Sequence, residues 1–242
     1  MKKQIQAILQ KMLGFERYLF WFSVFKVRTL QWDKKEGDLF GLVQLMPENG
    51  VVLDIGANLG FMTVILARKC KKGKVFSFEP IPENFATAEK IIHHFRLTNV
   101  KLLNIALGNE KGKLEMVMPQ KNEVRMQGLS HVLRPDEAVP EGRRYSVPVE
   151  KLDDIKELKA HKISGIKIDV EEFESFVFEG GLELLRRDRP VVYAELWDSK
   201  NREACFSIFN ELKYKTMVRV DGKMVLYHPD QHKKQNFFFI GA

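Results

Sequence analysis

Val51-Val52-Leu53-Asp54-Ile55-Gly56-Ala57-Asn58-Leu59-Gly60 decides the fold of this chain. Its β-branched apolar start reads as a buried strand, closed by a carboxylate and a turn carrying Gly56 and Gly60. Phe61 to Arg68 then has the pattern of an amphipathic helix. Strand, glycine turn and helix open a nucleotide-binding α/β domain, where the helix N-terminus and the bare turn backbone face a ligand. A dinucleotide fingerprint would need glycine at 58 and 61, and this chain has Asn58 and Phe61. Asp54 would repel a pyrophosphate and suits a ligand with an ammonium and a sulfonium. S-adenosylmethionine meets that description and NAD does not. Asp54, Gly56, Ala57, Asn58, Gly60 and Phe61 are the expected contacts on this unit.

The next strand, Lys74 to Glu79, ends in an acid near the ~20-residue spacing at which a carboxylate accepts hydrogen bonds from ribose hydroxyls. Pro80 and Pro82 stop that strand and start a helix that includes Asn84. Val100 to Ile105 reads as a third strand, which puts Asn104 to Ala106 beside the adenine. Glu79, Pro80, Asn84, Asn104 and Ala106 therefore join the predicted cofactor contacts, with Asp169 from further on.

The 242 residues are 45% hydrophobic and 29% charged, as in a soluble globular protein with one sizeable core. The net charge of +7 is spread along the chain. Nucleic-acid binding, which shows as a concentrated basic footprint, is therefore disfavoured. Cys70 and Cys205 have no metal or redox spacing and suggest a reducing compartment. Met1-Lys2-Lys3 leads into an amphipathic pattern rather than a signal peptide, so a cytoplasmic protein is expected.

Residues 1–49 read as a helical extension and 50–242 as the catalytic domain. Ile5, Ile8, Leu9, Met12 and Leu13 form one helical face. Phe15, Tyr18, Phe20, Trp21, Phe22 and Phe25 follow, beside Lys11, Arg17, Lys26 and Arg28. Two readings fit this density: a helix packed on the domain, or a membrane-surface or partner contact through residues 1–30.

Further along, Gly112 to Met118 suggests an antiparallel excursion, and Pro119 to Tyr145 a long lid loop carrying Gly128-Leu129-Ser130-His131 over the acceptor. Tyr145 to Val149 reads as an edge strand because of Pro148. A helix is expected over Lys151 to Lys159, strand four over Ile163 to Asp169 and a helix from about Phe173 to Arg187. Strand five spans Val191 to Leu196, a helix 200–212, and the closing strands 214–220 and 235–240.

Three motifs in this order resemble the FkbM family of S-adenosylmethionine-dependent methyltransferases: Leu53 to Gly60, Phe78 to Asn84, and Ile166-Lys167-Ile168-Asp169-Val170-Glu171. Leu152-Asp153-Asp154 resembles the family's segment before strand four, and the likeness covers about residues 50–240. It implies a class I methyltransferase fold, Rossmann-like, with a seven-stranded sheet whose last strand is antiparallel. It also implies O-methylation, often of sugar or polyketide hydroxyls. The family usually has glycine where this chain has Glu172.

A sugar hydroxyl is a poor nucleophile, so a positioned base should contribute ~10²–10⁴-fold. Asp169 is the first candidate, Glu171 a partner in that role or an acceptor ligand, and His131 an alternative on the lid. Asp169 and Glu195 end neighbouring strands, but the family needs no metal and none is assigned. The acceptor is read as a small molecule or glycan. A nicotinamide oxidoreductase, a non-catalytic nucleoside-binding module and an RNA methyltransferase are the rival readings.

Overall fold

The structure, a computed structural model, describes residues 2–33, 36–121, 124–133 and 141–241. Three helices come first: α1 (Lys2–Leu13), α2 (Phe15–Thr29) and α3 (Leu39–Leu45). The chain breaks at Gly14, with φ 76°, and at a 3-10 turn over Leu30–Trp32. Strand and helix then alternate through β1 (Val51–Ile55), α4 (Phe61–Lys69), β2 (Lys74–Phe78), α5 (Pro82–His94) and β3 (Val100–Leu103). Next come the short β4 (Ala106–Leu107), β5 (Gly112–Lys121), β6 (Val124–Arg125), β7 (His131–Val132) and β8 (Gly142–Glu150). The alternation resumes with α6 (Lys156–Lys159), β9 (Ile163–Ile168), α7 (Glu174–Glu179), α8 (Leu182–Asp188), β10 (Val191–Glu195) and α9 (Lys200–Glu211). The last strands are β11 (Tyr214–Val220), β12 (Lys223–Leu226) and β13 (Asn236–Gly241).

The main sheet runs β12-β11-β13-β10-β9-β1-β2-β3. β1 lies between β2 and β9, parallel to both, so the glycine turn opens at the middle of the sheet. β13 inserts antiparallel between β10 and β11. The seven expected strands are all present, and β12 adds an eighth as a hairpin on β11. Its turn, Asp221-Gly222, has φ 48° and 79°, the positive pair that a tight hairpin requires, and the sequence carried that signal.

Both faces of the sheet are covered, as parallel strands need. Successive strand residues point to opposite sides. Leu53, Ile55, Phe76 and Ile166 meet Phe178, Leu185 and Phe209 of α7 to α9 on one side. Val52, Val75, Tyr193 and Phe238 meet Leu39, Leu42 and Leu66 of α3 and α4 on the other. α2 lies over α4 and α5, with Val24 and Val27 packed with Val64 and Ile91.

A second sheet, β4-β8-β5-β6 with β7 on β5, corrects the reading of Pro119 to Tyr145 as one irregular lid. Residues 122, 123 and 134–140 of that stretch lie outside the described residues. β8 is internal to this sheet, yet β4 pairs with it only at Val149 and Glu150. Pro148 therefore sits where β8 has one neighbour, so its missing donor breaks no ladder on the open side. The single helix expected over Phe173 to Arg187 is two. They part at Gly180, where an added Cβ would come 1.9 Å from the carbonyl oxygen of Gly108. The helix expected over Lys151 to Lys159 is a 3-10 turn at Leu152–Asp154 followed by one turn of α6.

Candidate active site

A crevice opens at the carboxyl ends of β1, β2 and β9. Ile55, Gly56, Glu79 and Asp169 line it from the main sheet, Leu114, Met116 and Val132 from the second sheet, and Gln127 and Gly128 from the 3-10 turn Gln127–Leu129 between β6 and β7. The floor is a backbone lattice. Gly56 and Ala57 donate to the carbonyl of Phe78 at 3.0 and 2.9 Å, and Asp169 donates to that of Ile55 at 3.1 Å. Gly56 has φ 75°, and a Cβ there would come 1.9 Å from the carbonyl oxygen of Asp169. Only glycine lets β1 and β9 close to this distance.

Glu79 is held from several sides. Its Oε2 accepts the N–H of Asn58 at 2.7 Å, and its Oε1 accepts the N–H of Ile81 at 3.0 Å and Asn84 Nδ2 at 3.4 Å. Asn104 ties the backbone behind it, donating to the carbonyls of Glu79 and Pro80 at 2.8 and 3.0 Å. Burial pushes the Glu79 carboxyl up to about 7 against these hydrogen bonds. Three amide oxygens that line the same crevice, Asn58 Oδ1, Asn84 Oδ1 and Gln127 Oε1, have no hydrogen-bond partner among the described residues. Buried acceptors in that condition take donors from water or from a ligand in the crevice.

Several predicted contacts stand elsewhere. Asp54 is fully buried and does not line the crevice. It accepts Thr63 Oγ1 at 2.5 Å and lies 3.3 Å from Lys167 Nζ, which also donates to the Gly56 carbonyl at 2.8 Å. Its charge is offset inside the protein, so it neither draws a cationic ligand nor repels a phosphate as expected. Burial works against the Lys167 ammonium, but Asp54, Asp169 and Glu36 outweigh it and raise its pKa. Ala57 is buried in the turn and Gly60 caps α4. Phe61 turns toward α2, with Lys26 Nζ 5.7 Å from its ring centroid. His131 is on β7 while Ser130 and Val132 line the crevice, since strand neighbours alternate faces. His131 itself is not among the residues that line the crevice. Gly56, Asn58, Glu79, Pro80, Asn84, Ala106, Asp169 and Glu171 all line the crevice.

The mouth beside β9 and β10 is acidic. Burial, then Asp169, then Glu195 raise Glu171 to about 8. Burial and Asp169 raise Glu195 to about 7. Glu174, raised to about 7 mainly by burial, accepts the N–H of Val170 at 3.0 Å and Asn201 Nδ2 at 2.5 Å. Among the described residues no group of three His, Cys, Asp or Glu side chains is arranged to hold a metal ion.

The sequence pattern described as the Methyltransferase FkbM domain matches residues 54–223. The chain belongs to the FkbM family. It is 24% identical over 151 residues to "Methyltransferase 1" of Beauveria bassiana, covering 55% of this chain and 59% of that protein. "Methyltransferase sdnD" of Sordaria araneosa is 25% identical over 162 residues, covering 56% of this chain and 61% of its own. The match thus spans about three fifths of each curated relative. The fold is that of solved class I structures. The FkbM methyltransferase of Methylobacillus flagellatus superposes with a TM-score of 0.53 at 14% identity, over 80% of this chain and 44% of that one. SMU.1697c of Streptococcus mutans, solved in complex with SAH, gives 0.51 at 14% identity, over 86% and 96%.

Family membership gives the departure at Glu172 a physical meaning. Glu171 and Glu172 have φ of 53° and 71°, the left-handed region that glycine occupies freely. This FkbM domain holds two consecutive glutamates there. Glu172→Gly is expected to raise stability by about 1 kcal/mol by releasing left-handed strain. Chemical denaturation would show it, and a destabilised variant would mean that the Glu172 side chain is worth more than the strain.

The raised carboxyls predict a pH dependence. Glu79, Glu171, Glu174 and Glu195 bind protons more tightly folded than unfolded, so their contribution is full below the ordinary carboxyl range. It is lost as pH rises through about 7 to 8. The ligand-free protein should therefore melt at a higher temperature at pH 5 than at pH 8. A flat or rising profile across that window would refute the buried acid cluster.

Proposed function

We propose that this FkbM domain moves the methyl group of S-adenosylmethionine to a hydroxyl of a small molecule or glycan. The observation that carries the reading is Glu79. A carboxylate at the end of β2, with Oε1 taken by Ile81 and Asn84 and Oε2 held by Asn58, keeps a lone pair on Oε2 for a ribose hydroxyl. The unpartnered oxygens of Asn84 and Gln127 fit a ligand that brings further donors, as an adenine amine does.

S-adenosylmethionine, when bound, supplies an electrophilic methyl group on a sulfonium. The chain's own residues supply position and proton handling. Gly56 lets the turn backbone approach, Glu79, Asn84 and Gln127 would hold the nucleoside end, and Asp169 and Glu171 face the space left for the acceptor. Orientation alone contributes several kcal/mol to such a displacement. In this reading Asp169, which lines the crevice, orients an acceptor hydroxyl and takes its proton. Glu171, raised to about 8, holds its proton at neutral pH and serves better as a hydrogen-bond donor to the acceptor.

Titration calorimetry tests the first step. S-adenosylmethionine and S-adenosylhomocysteine should bind saturably and NADH should not. Glu79→Ala should weaken binding by about 1–3 kcal/mol, the loss of a charged hydrogen-bond partner. An unchanged dissociation constant would remove Glu79 from the ribose role. Tight NADH binding with silence toward both methyl cofactors would overturn the reading. Labelled methyl transfer onto a panel of glycans, lipids and RNA then identifies the acceptor, and label on RNA alone would reject a glycan or small molecule.

A further inference from the structure

The aromatic density of α2 divides between two faces of the helix. Tyr18, Leu19, Ser23, Val24 and Val27 face the domain, with Ser23 Oγ donating to the Leu59 carbonyl at 3.0 Å. That face is fully used. The opposite face presents Arg17, Trp21, Phe25 and Arg28, three to four positions apart and therefore in one line, and Trp32 continues it beyond the helix. Trp21 is 56% exposed, Phe25 61% and Trp32 71%. Single exposed apolar residues are ordinary, but two tryptophans and a phenylalanine in one row form a patch. On α1, Ile8 and Met12 are exposed as well, so the apolar stripe read there is not buried against the domain. The side chain of Ile5 lies outside the described residues.

The arginines beside the row, Arg17 and Arg28, are basic, and the acids near it are paired. Its flanking acids are each tied to a lysine, Glu16 to Lys90 at 3.1 Å and Asp33 to Lys26 at 2.7 Å. Arg17 and Arg28 have no ion-pair partner among the described residues. We infer that the outer face of α2, with Trp32, docks on the surface of a bilayer containing anionic lipid. Indole and phenyl rings settle at headgroup depth, where the indole N–H stays wet, while guanidinium groups meet lipid phosphates. A row one helix wide suits a flat lipid interface better than a protein partner, whose stable contact needs about 800 Å² a side. No described helix is long and apolar enough to cross a membrane. This inference does not rest on the proposed chemistry.

The test is flotation of the full chain with phosphatidylcholine vesicles, with and without phosphatidylglycerol. The chain should float with the anionic vesicles only, and less as salt rises. Trp21→Ala/Phe25→Ala/Trp32→Ala and Arg17→Ala/Arg28→Ala should each lower partition about tenfold or more. These side chains are outward, so melting temperature and S-adenosylmethionine binding should be unchanged. Trp21 and Trp32 are two of three tryptophans, so emission of the unmodified chain should shift to the blue on anionic vesicles. Failure of the unmodified chain to float with anionic vesicles would overturn the inference, as would undiminished flotation of the aromatic variant. Lipid-independent self-association abolished by the same substitutions would overturn it too, and would assign the face to a second copy of the chain.

Discussion

Replacing Lys167 by methionine is expected to lower folding stability by about 3–5 kcal/mol. The side chain is 3% exposed and its partner Asp54 is fully buried, with 3.3 Å between charged atoms. Methionine keeps most of the volume, so the loss isolates charge rather than packing. Without the ammonium, Asp54 retains the hydroxyl of Thr63 but is left as an uncompensated buried charge. The Gly56 carbonyl loses its donor at the same time. For a chain of this size the melting temperature should fall by on the order of 10 °C. Adding Asp54→Asn should recover a good part of the loss, because the orphaned charge goes with it. A drop under about 1 kcal/mol, the level of an exposed ion pair, would mean that water reaches the site.

Asp169→Asn should leave S-adenosylmethionine binding in place while turnover falls by ~10²-fold or more, a barrier change of about 2.7 kcal/mol. Asparagine keeps the shape and removes the charge and most of the basicity. The residue lines the crevice, and its backbone is locked by the hydrogen bond to Ile55. A helix-capping role is not open to it, since the N–H of Val170 is taken by Glu174 and α7 begins only at Glu174. Loss of the Asp169 charge should also let Glu171 ionise at lower pH, because Asp169 is the largest charge raising it. The residual activity should therefore show an altered pH profile. Turnover near that of the unmodified protein would dismiss Asp169 as the base and move the role to Glu171.

Much of the site was legible because it lies where local pattern and chain order coincide. Gly56, Asn58, Glu79 and Asp169 follow the carboxyl ends of strands recognisable from short apolar runs, and Asn84 opens the helix after the second of them, so strand ends largely located the crevice. Gln127 was not legible. It comes from an irregular segment whose two-residue strands form only by pairing with β5, and no local periodicity announces them. His131 misled for a related reason: its neighbours pointed inward, and the strand's alternation turned its own side chain away.

By itself the sequence determined the strand–turn–helix order, the glycine turn, the acid after strand two and the FkbM likeness, since these follow from residue type and short spacing. Only the tertiary structure decided what Asp54 does. A carboxylate ending an apolar run reads as a ligand contact until the neighbouring strand delivers Lys167 to it, and that pairing depends on the register of β1 with β9. Tertiary packing also decided which aromatics of α2 are core and which are surface. One helix offers both faces equally, and only contact with α4 and α5 breaks the tie.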